Sequence, residues 1–419
     1  MLRCDRICVW LFILGMITLI PGVNLIKFID ELLMAGFIAL AILDGITNGN
    51  LRRYKAMWAA LGLMAFYVVY SVTMVSYNSP KYILIDSVIE LKPFIPFLVV
   101  IAIRPAFTAG DKSLLRAICI ADAVIAVAVL LIGRQAIKPL FIVRAIAGAV
   151  IYLSMMTYLY CSIDSKGRIP LRSLIIAFVL ISCGLLCTRS KYYGEFILAV
   201  FFFFIYKPGM LSQVRLKHLI VVVALFCITL AATWSKINYY FVSGVQASVE
   251  DSESLNEFAR PALYAGAGMI IADHPLFGSG LASFATYPSS VNYSGAYAEY
   301  GLDKVYGLSE EAPDFVCDAY YASLAQYGLA GIAVFIAFYV YAYGFLRRDL
   351  RHKDPAGLNR FRIGTLLICM LLIECIAGTV ISMAAGMLAS ALLAFIATQA
   401  PEAAPEKKPL IVQPQKKLI

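Results

Sequence analysis

Positively charged side chains occur at two polar places between long apolar stretches of this sequence. The first is the segment from Thr188 to Lys191, which includes Arg189, and the second is Arg260. Arginine can bind phosphate through two parallel hydrogen bonds, each worth roughly 1.5–3 kcal/mol, whereas lysine supplies a point charge. Such cations could hold a pyrophosphate and stabilise the charge that develops on it as it leaves.

Acidic and aromatic side chains precede an apolar stretch that begins near residue 322. They are Glu310, Glu311, Asp314, Asp318, Tyr320 and Tyr321. A carboxylate here could act as a general base towards a hydroxyl group, with Asp318 or Asp314 as the candidates. The simpler interpretation is a solvated loop in which an aspartate caps a helix, and we expect that helix to begin near Pro313.

The composition indicates that most of the chain lies in lipid. Of its 419 residues 61% are hydrophobic and only 15% are charged, and the mean hydropathy is +0.82. A soluble domain is nearer half apolar and a quarter charged, so this much apolar surface could not be hidden from water. The expected fold is therefore an all-α, polytopic membrane protein.

Apolar stretches of about the length that crosses a bilayer define the elements that must position these residues. Twelve spans are predicted, and the last two could form one long helix. They cover residues 7–22, 32–47, 56–75, 82–103, 114–133, 139–161, 172–187, 193–206, 217–235, 322–346, 361–379 and 381–398. The first span could resemble a signal peptide, but no cleavage site follows it, so we expect it to be retained.

The distribution of positive charge tests this count. With twelve spans and both termini on the cytoplasmic side, 24 of the 35 lysines and arginines face the cytoplasm and nine face the other side. This is the bias that the positive-inside rule describes. It also explains the net charge of +9 without nucleic-acid binding. We expect an inner-membrane protein with both termini in the cytoplasm and the largest polar stretch on the extracytoplasmic side.

The predicted domain organisation follows from these spans. Residues 1–400 form the transmembrane domain, and a large extracytoplasmic loop, residues 236–321, lies between the ninth and tenth spans. One clear helical segment in this loop runs from Phe258 to Ala272. Residues 401–419 are rich in proline, lysine and glutamate, which predicts a disordered cytoplasmic tail.

Charged residues inside the predicted spans are costly in lipid and are therefore functional candidates. Asp86 and Glu90 are four residues apart on the fourth span and share a helix face. Lys92 could compensate one of these carboxylates and Arg144 the other. These charges could form a buried structural pair or take part in a site, and both interpretations stay open. The same two interpretations apply to Glu374, in the eleventh predicted span.

The cations of the two polar places also have simpler explanations. Arg189 and Lys191 could extend from the bilayer to its interface, as long cationic side chains often do. Arg260 lies among acids and could form a surface salt bridge. The sequence has no CxxC motif, no clustered histidines and cysteines, and no DxD motif, so neither a metal site nor a cofactor is expected.

Three segments resemble the O-antigen ligase and O-antigen polymerase superfamily. Arg260 is followed by a helix and then by Pro275-Leu-Phe-Gly-Ser-Gly-Leu-Ala-Ser-Phe284, similar to the family pattern Pro-Leu-x-Gly-x-Gly-x-x-x-Phe. The segment from Asp318 to Gly331 is similar to the start of the family's helix after the large loop. Thr188 to Lys191 is similar to a Thr-x-Ser-Arg turn. The resemblance covers span number and loop placement over most of the chain.

This resemblance implies an enzyme that uses an undecaprenyl-pyrophosphate-linked glycan on the periplasmic face. Arg260 matches the second of two arginines that are thought to bind the pyrophosphate. Lys191, with Arg189 nearby, stands where the first arginine is expected, and lysine keeps the charge but loses the two-pronged bond. Cys317 stands where ligases have a histidine, so a polymerase fits better, with Asp318 or Asp314 as the base.

The sequence therefore predicts a metal-independent, inverting glycosyltransferase that polymerises or transfers lipid-linked saccharide repeat units in O-antigen or exopolysaccharide synthesis. Tyr264, Tyr320 and Tyr321 are the predicted substrate-binding residues, and further loop tyrosines suit a sugar-binding wall or a packed lid equally well. The expected partners are the lipid-linked donor, a saccharide or lipid-linked acceptor, the bilayer and a chain-length regulator. The alternatives are a ligase that transfers glycan to lipid A-core, a flippase or transporter of the lipid-linked saccharide, and a non-catalytic scaffold.

Overall fold

The computed structural model describes residues 3–20, 25–26, 28–207, 258–349 and 354–398, and within these residues the chain is helical without a β-strand. The α-helices are α1 (Cys4–Ile17), α2 (Ile29–Thr47), α3 (Lys55–Tyr70), α4 (Pro80–Leu91), α5 (Ile95–Ile103), α6 (Ala109–Ile132), α7 (Arg134–Phe141), α8 (Arg144–Cys161), α9 (Leu171–Cys183), α10 (Ser190–Val200), α11 (Ala259–Asp273), α12 (Tyr287–Val291), α13 (Gly295–Glu299), α14 (Tyr320–Ser323), α15 (Gly328–Asp349), α16 (Pro355–Glu374) and α17 (Ala384–Thr398).

Short segments of other helical types extend several of these helices. Turns of 3₁₀-helix occur at Leu51–Tyr54, Gly184–Cys187, Leu324–Tyr327 and Val380–Ser382, and π-helical turns occur at Ser71–Val75 and Phe201–Ile205. Because such turns continue a helix with a different hydrogen-bond spacing, α3 and α14–α15 each belong to a longer helical stretch.

Within the residues that the structure describes, five helical stretches are long and apolar enough to cross a membrane. They are Leu51–Val75, Ala109–Ile132, Arg144–Cys161, Tyr320–Arg348 and Pro355–Glu374, and shorter apolar helices cover Leu171–Cys187 and Ala384–Thr398. The described part of the chain is thus all-helical, with several helices suited to a bilayer. The total of twelve spans stays a prediction, and the ninth predicted span and the C-terminal tail lie outside the described residues.

Two predicted boundaries differ from the structure. The fourth predicted span is interrupted between α4 and α5, where Lys92-Pro93-Phe94 intervenes and proline cannot donate a backbone hydrogen bond. The helix expected to begin near Pro313 is wrong, because residues 313–319 form turns and α14 begins at Tyr320. The last two predicted spans are separate helices, α16 and α17, joined by residues 375–383.

Two helices form the centre of the bundle. Almost every residue of α8, from Ile146 to Cys161, is buried, and so is every residue of α17 from Ala384 to Ile396. α6 and α9 pack on α8, while α5, α16 and α1 pack on α17. Helices that are apolar on all sides belong in the core of a large bundle, and here the outer helices pack around them.

Side-chain contacts group the connecting segments into two ends of the bundle. Segments predicted to be cytoplasmic meet one another through the contacts Arg6–Asp111, Arg53–Ile103 and Asn359–Gly167. Segments predicted to be extracytoplasmic meet one another, and the end of the predicted span 361–379, through the contacts Asn78–Ala282, Lys191–Ala377 and Tyr264–Ile376. This grouping agrees with the predicted alternation of spans, and the number and orientation of the spans stay predictions.

The described part of the large loop, residues 258–319, has its own small core beside the bundle. Leu263 and Ile270 of α11 pack there with Phe284 and Tyr297, all fully buried. Because this core includes one face of α11, the start of that helix, where Arg260 lies, is fixed relative to the rest of the loop.

The glycine-rich segment Pro275–Ala285 attaches this loop to the bundle. Gly278 and Gly328 touch backbone to backbone: a Cβ atom on Gly278 would lie 2.2 Å from the carbonyl oxygen of Ala325. Both glycines also have positive φ angles, +72° and +60°, which other residues rarely adopt. The carbonyl oxygens of Pro275 and Leu276 accept hydrogen bonds from the first backbone N–H groups of α15, those of Leu329 and Ala330.

Candidate functional site

One turn, Cys375–Gly378, brings together residues that are far apart in sequence. The Tyr264 hydroxyl donates to the carbonyl oxygen of Ile376 at 2.8 Å, and Lys191 Nζ donates to that of Ala377 at 2.9 Å. The backbone N–H of Tyr320 donates to the carbonyl oxygen of Gly378 at 3.3 Å. Three predicted site residues therefore contact consecutive carbonyl groups of a single turn at the end of α16.

Lys191 lies in the first turn of α10 and forms an ion pair with Glu374, the last residue of α16. Both side chains are largely buried, with 11% of the lysine and 1% of the glutamate side chain exposed. Thr188 before it adopts a positive φ of 54°, which turns the chain sharply into α10. Arg189 precedes α10, is exposed, and its charge acts on Glu374.

Glu195 lies behind this ion pair and was missed by the sequence analysis. It is fully buried, and its carboxylate faces Glu374 and Lys191. Its spacing of four residues from Lys191 on one helix was the available signal.

Arg260 lies in the first turn of α11 and forms an ion pair with Asp318. This pair reaches solvent, since 21% of the arginine and 32% of the aspartate side chain are exposed. Tyr264 is one helical turn further along α11. Arg260, Asp318 and Lys191 therefore flank the same turn, Arg260 and Asp318 from the loop side and Lys191 from the bundle side.

The remaining acids of the loop are more exposed. Glu310, Glu311 and Asp314 all lie on its surface. Of the two aspartates predicted as a base, only Asp318 contacts a predicted pyrophosphate-binding residue through a hydrogen bond that the structure describes. A guanidinium has five N–H donors, so Arg260 could bind phosphate oxygens and Asp318 together.

The three predicted substrate-binding tyrosines differ in their surroundings. Burial raises the pKa of Tyr264 to about 12, so its phenol is protonated and remains a donor at neutral pH. The Tyr321 hydroxyl donates to the carbonyl oxygen of Leu372. Tyr320 is buried, and its hydroxyl donates to the Glu90 carboxylate at 2.8 Å, which places its ring inside the bundle.

An apolar groove of about 410 Å³ lies between α3, the α4–α5 region and α14–α15. Tyr320 and Glu90 form polar positions in a lining that is otherwise almost entirely apolar or aromatic, with Leu63, Phe94 and Phe338 among its residues. Tyr320 follows Asp318 by two residues, so the groove and the charged site are adjacent along the chain.

The charged residues of the fourth predicted span do not pair as expected. Lys92 forms its ion pairs with Asp30 and Glu31 of α2 and none with Asp86 or Glu90, although its charge still acts on Glu90. Asp86 instead accepts a hydrogen bond from the backbone N–H of Ala282 in the loop, at 2.7 Å. Arg144 begins α8, is partly exposed, and contacts neither carboxylate in the described structure.

Cys317, at the position where the resemblance leads one to expect a histidine, lies beside the site. Burial raises the pKa of its thiol to about 12, so it is protonated at neutral pH and unsuited to act as a base. His274 lies at the end of α11 with its ring against Tyr77. Within the described ranges no group of three histidine, cysteine or acidic residues is arranged to hold a metal ion.

The loop tyrosines divide between the two roles that the sequence left open. Tyr297 is fully buried, where its hydroxyl accepts from the backbone N–H of Ala285, and Tyr293 stacks on it. These two rings pack the loop. Tyr287 and Tyr306 are exposed, with 61% and 70% of their surface accessible, and could still contact a sugar.

No protein-family model matches the chain, and no curated protein is significantly similar to it in sequence. The resemblance to the O-antigen ligase and polymerase superfamily therefore rests on the motifs around Lys191, Arg260 and Asp318.

Proposed function

We propose that this protein is a glycosyltransferase that polymerises or transfers saccharide repeat units from an undecaprenyl-pyrophosphate donor at the periplasmic face of a bacterial inner membrane. The observation that carries the proposal is the convergence of Lys191 and the Arg260 helix on the Cys375–Gly378 turn. Two cations at one end of a lipid-embedded bundle suit a doubly charged headgroup.

The groove beside the site supports a lipid-linked donor. A polyprenyl tail needs apolar surface that begins next to the phosphate-binding cations, and the groove lined by Leu63, Phe94 and Phe338 offers such surface. Burial of apolar area contributes about 25 cal/mol per Å², so a long tail could supply much of the binding free energy. This would leave the headgroup contacts for the reaction itself.

The proposed reaction uses Asp318 as base and Arg260 as the partner of the leaving group. Asp318 accepts the proton of an acceptor hydroxyl while that oxygen attacks the anomeric carbon. The bond from that carbon to the pyrophosphate oxygen breaks, and the pyrophosphate leaves with the electron pair, stabilised by Arg260 and Lys191. A direct displacement inverts the configuration at the anomeric carbon.

The ion pair between Arg260 and Asp318 fits both roles. While it is closed, the guanidinium neutralises the carboxylate. A donor pyrophosphate would compete for the guanidinium, and the carboxylate would then be available to the acceptor. The partial exposure of the pair makes this exchange less costly than the opening of a buried pair.

A flippase remains the second candidate, because one observation favours it. The fourth predicted span is broken at Lys92-Pro93, and broken helices near buried charges are typical of transporters. A ligase that uses the same donor but lipid A-core as acceptor is the third.

The test is transfer by the purified full chain in detergent with a lipid-pyrophosphate-linked repeat unit as donor. Arg260→Ala and Arg260→Lys should both abolish product, because lysine cannot reproduce the two-pronged bond. Lys304→Ala, which removes an exposed cation of the same loop, is the matched control and should remain active. Each variant must unfold at the temperature of the parent for the comparison to hold.

Full activity in Arg260→Ala would remove Arg260 from the site. Absence of turnover in the parent, together with movement of the donor across vesicle membranes, would favour the flippase. Product attached to lipid A-core instead of to a growing glycan would favour the ligase, and retention at the anomeric carbon would exclude direct displacement.

A further inference from the structure

Two aromatic rings lie side by side at the surface of the loop, close in the chain to Asp318. Tyr306 and Phe315 are 70% and 39% exposed, and their ring centroids are 6.0 Å apart. Single apolar side chains at a surface need no explanation, whereas adjacent rings form a patch of the kind that ligands cover. The pair therefore offers surface to a ligand.

The backbone that carries the two rings is held in place. Leu308, two residues after Tyr306, and Val316, directly after Phe315, are both fully buried in the core of the loop. The backbone N–H of Phe315 donates to the carbonyl oxygen of Gly307 at 2.9 Å, which ties the two segments together. A ligand that covers the rings therefore does not have to order this part of the chain, and such preorganisation favours binding.

Gly307 also gives the ring of Phe315 its place. A Cβ atom on Gly307 would lie 2.1 Å from a ring carbon of Phe315, so the ring lies directly against the backbone there. Gly307 has a positive φ of 81°, which side chains other than glycine rarely allow. The chain thus covers the ring from one side, and its exposed surface is left to a ligand.

The charges around the rings indicate what kind of ligand fits. Glu310, Glu311 and Asp314 lie in the connection between the rings, and all three are exposed. A lipid surface could cover the rings, but it would also take these carboxylates out of water at a high cost. A sugar ring suits both, because its C–H face packs on an aromatic ring while its hydroxyl groups donate to carboxylates.

The rings are connected to the proposed base by one turn of the chain. The backbone N–H of Asp318 donates to the carbonyl oxygen of Phe315 at 3.1 Å. The Asp318 side chain forms its ion pair with Arg260, the proposed partner of the donor pyrophosphate. In the proposed reaction Asp318 takes the proton of the acceptor hydroxyl, so a saccharide held by these rings is the acceptor.

We propose that Phe315 and Tyr306 form a subsite for one neutral sugar ring of the acceptor saccharide, with Asp314 accepting hydrogen bonds from its hydroxyl groups. This assignment rests on the proposed function, because the role of Asp318 is what makes the ligand the acceptor. The subsite gives the loop a part in selecting the acceptor. The three carboxylates repel an acidic sugar, so a uronic acid is disfavoured at this position.

The probe is the water-soluble saccharide repeat unit that mild acid releases from the lipid-linked donor. Its binding to the purified full chain in detergent is measured by isothermal titration calorimetry, and we expect one saturable site per chain. Phe315→Ala and Tyr306→Ala should each weaken binding roughly five- to tenfold, because an aromatic contact is lost. Phe315→Trp keeps an aromatic surface and should bind at least as tightly as the parent.

The matched control is Val291→Ala. It removes another exposed apolar side chain of the same loop, 50% exposed at the end of α12, and should bind the saccharide like the parent. In the transfer assay, Phe315→Ala and Tyr306→Ala should raise the KM for the acceptor by the same factor as they weaken binding. The kcat should stay within about twofold of the parent, because binding to the subsite is equal in the ground state and the transition state.

Three results would overturn the subsite. The first is a parent protein that does not bind the saccharide saturably, and the second is parent affinity in folded Phe315→Ala and Tyr306→Ala. The third concerns Phe315→Trp in lipid nanodiscs. If brominated phospholipids quench its fluorescence more than that of the parent, the rings lie in the membrane and do not face a saccharide.

The same measurements separate the subsite from the proposed function. Transfer by the parent, with an unchanged KM for the acceptor in both alanine variants, would keep the glycosyltransferase and remove the subsite. Saccharide binding that depends on both rings, in a parent without transfer, would contradict the proposed function and support a saccharide site at the rings.

Discussion

The Arg260–Asp318 and Lys191–Glu374 ion pairs flank the same turn, but their surroundings differ. Arg260–Asp318 lies on the loop side and is partly open to water. Lys191–Glu374 lies on the bundle side, where Lys191 also donates to a backbone carbonyl and Glu195 lies behind the pair. The resemblance would assign both cations the same task.

The difference in burial separates their roles. Opening a buried ion pair leaves an uncompensated charge in a medium of low dielectric, whereas an exposed pair can be replaced by water or ligand at little cost. Under the proposed function, Arg260 can therefore exchange its partner for a phosphate of the donor. Lys191 is better placed to fix the Cys375–Gly378 turn and to contribute charge from a fixed position.

The largest effect is expected from breaking the buried pair. Lys191→Met leaves the buried carboxylates of Glu374 and Glu195 without their cation, and we expect a loss of about 3–5 kcal/mol in the free energy of unfolding. The measurement is reversible unfolding in mixed detergent micelles, followed by circular dichroism.

The triple variant Lys191→Met, Glu195→Gln and Glu374→Leu is the control for this prediction. Removing all three charges should recover most of the lost stability, because no uncompensated charge remains. If the single variant were as stable as the parent, the buried pair would contribute no more to stability than the exposed pair.

A smaller effect is expected where the buried region meets the loop, at Tyr320. Tyr320→Phe removes the hydroxyl that donates to the buried Glu90, and the loss should be about 1–3 kcal/mol. Tyr339→Phe is the matched control, since the buried hydroxyl of Tyr339 has no hydrogen-bond partner among the residues described. Equal losses in the two variants would argue against the Glu90 bond.

The smallest effect on stability is expected from the exposed pair. Asp318→Asn should change the free energy of unfolding by less than about 1 kcal/mol, since the pair is screened by water. Under the proposed function the same variant should slow glycosyl transfer by roughly a hundredfold or more. Stability and transfer rate are measured on one preparation, and a large loss of stability with normal transfer would reverse the roles assigned to the two pairs.

Local features of the site could be predicted from the sequence. The loop helix was expected from Phe258 to Ala272 and is observed at Ala259–Asp273. The prediction is close because the apolar pattern of the helix and the His274-Pro275 that follows it define the helix locally. The sharp turn before Lys191 was likewise expected, since it separates two apolar stretches. Both features depend on residues close together in the chain.

The pairing of charges could not be predicted from the sequence. Lys92 is two residues from Glu90 in sequence, yet it binds Asp30 and Glu31 because α2 packs beside the break in the fourth span. No sequence pattern marks Glu195 as a neighbour of Glu374, which lies on another helix. These contacts depend on which helices pack together. That packing is hard to predict from sequence, because helices that face lipid have only a weak amphipathic pattern.

The contact between Gly278 and Gly328 has a consequence for how such a protein can diversify. The N–H groups at the start of α15 would have no partner within their own helix, and the loop carbonyls of Pro275 and Leu276 bind two of them. This part of the loop thus acts as the cap of a membrane helix. Chimaeras that exchange loops between homologous proteins should keep residues 275–285 and vary exposed positions such as Lys304 and Tyr306, so that the surface changes while the cap is preserved.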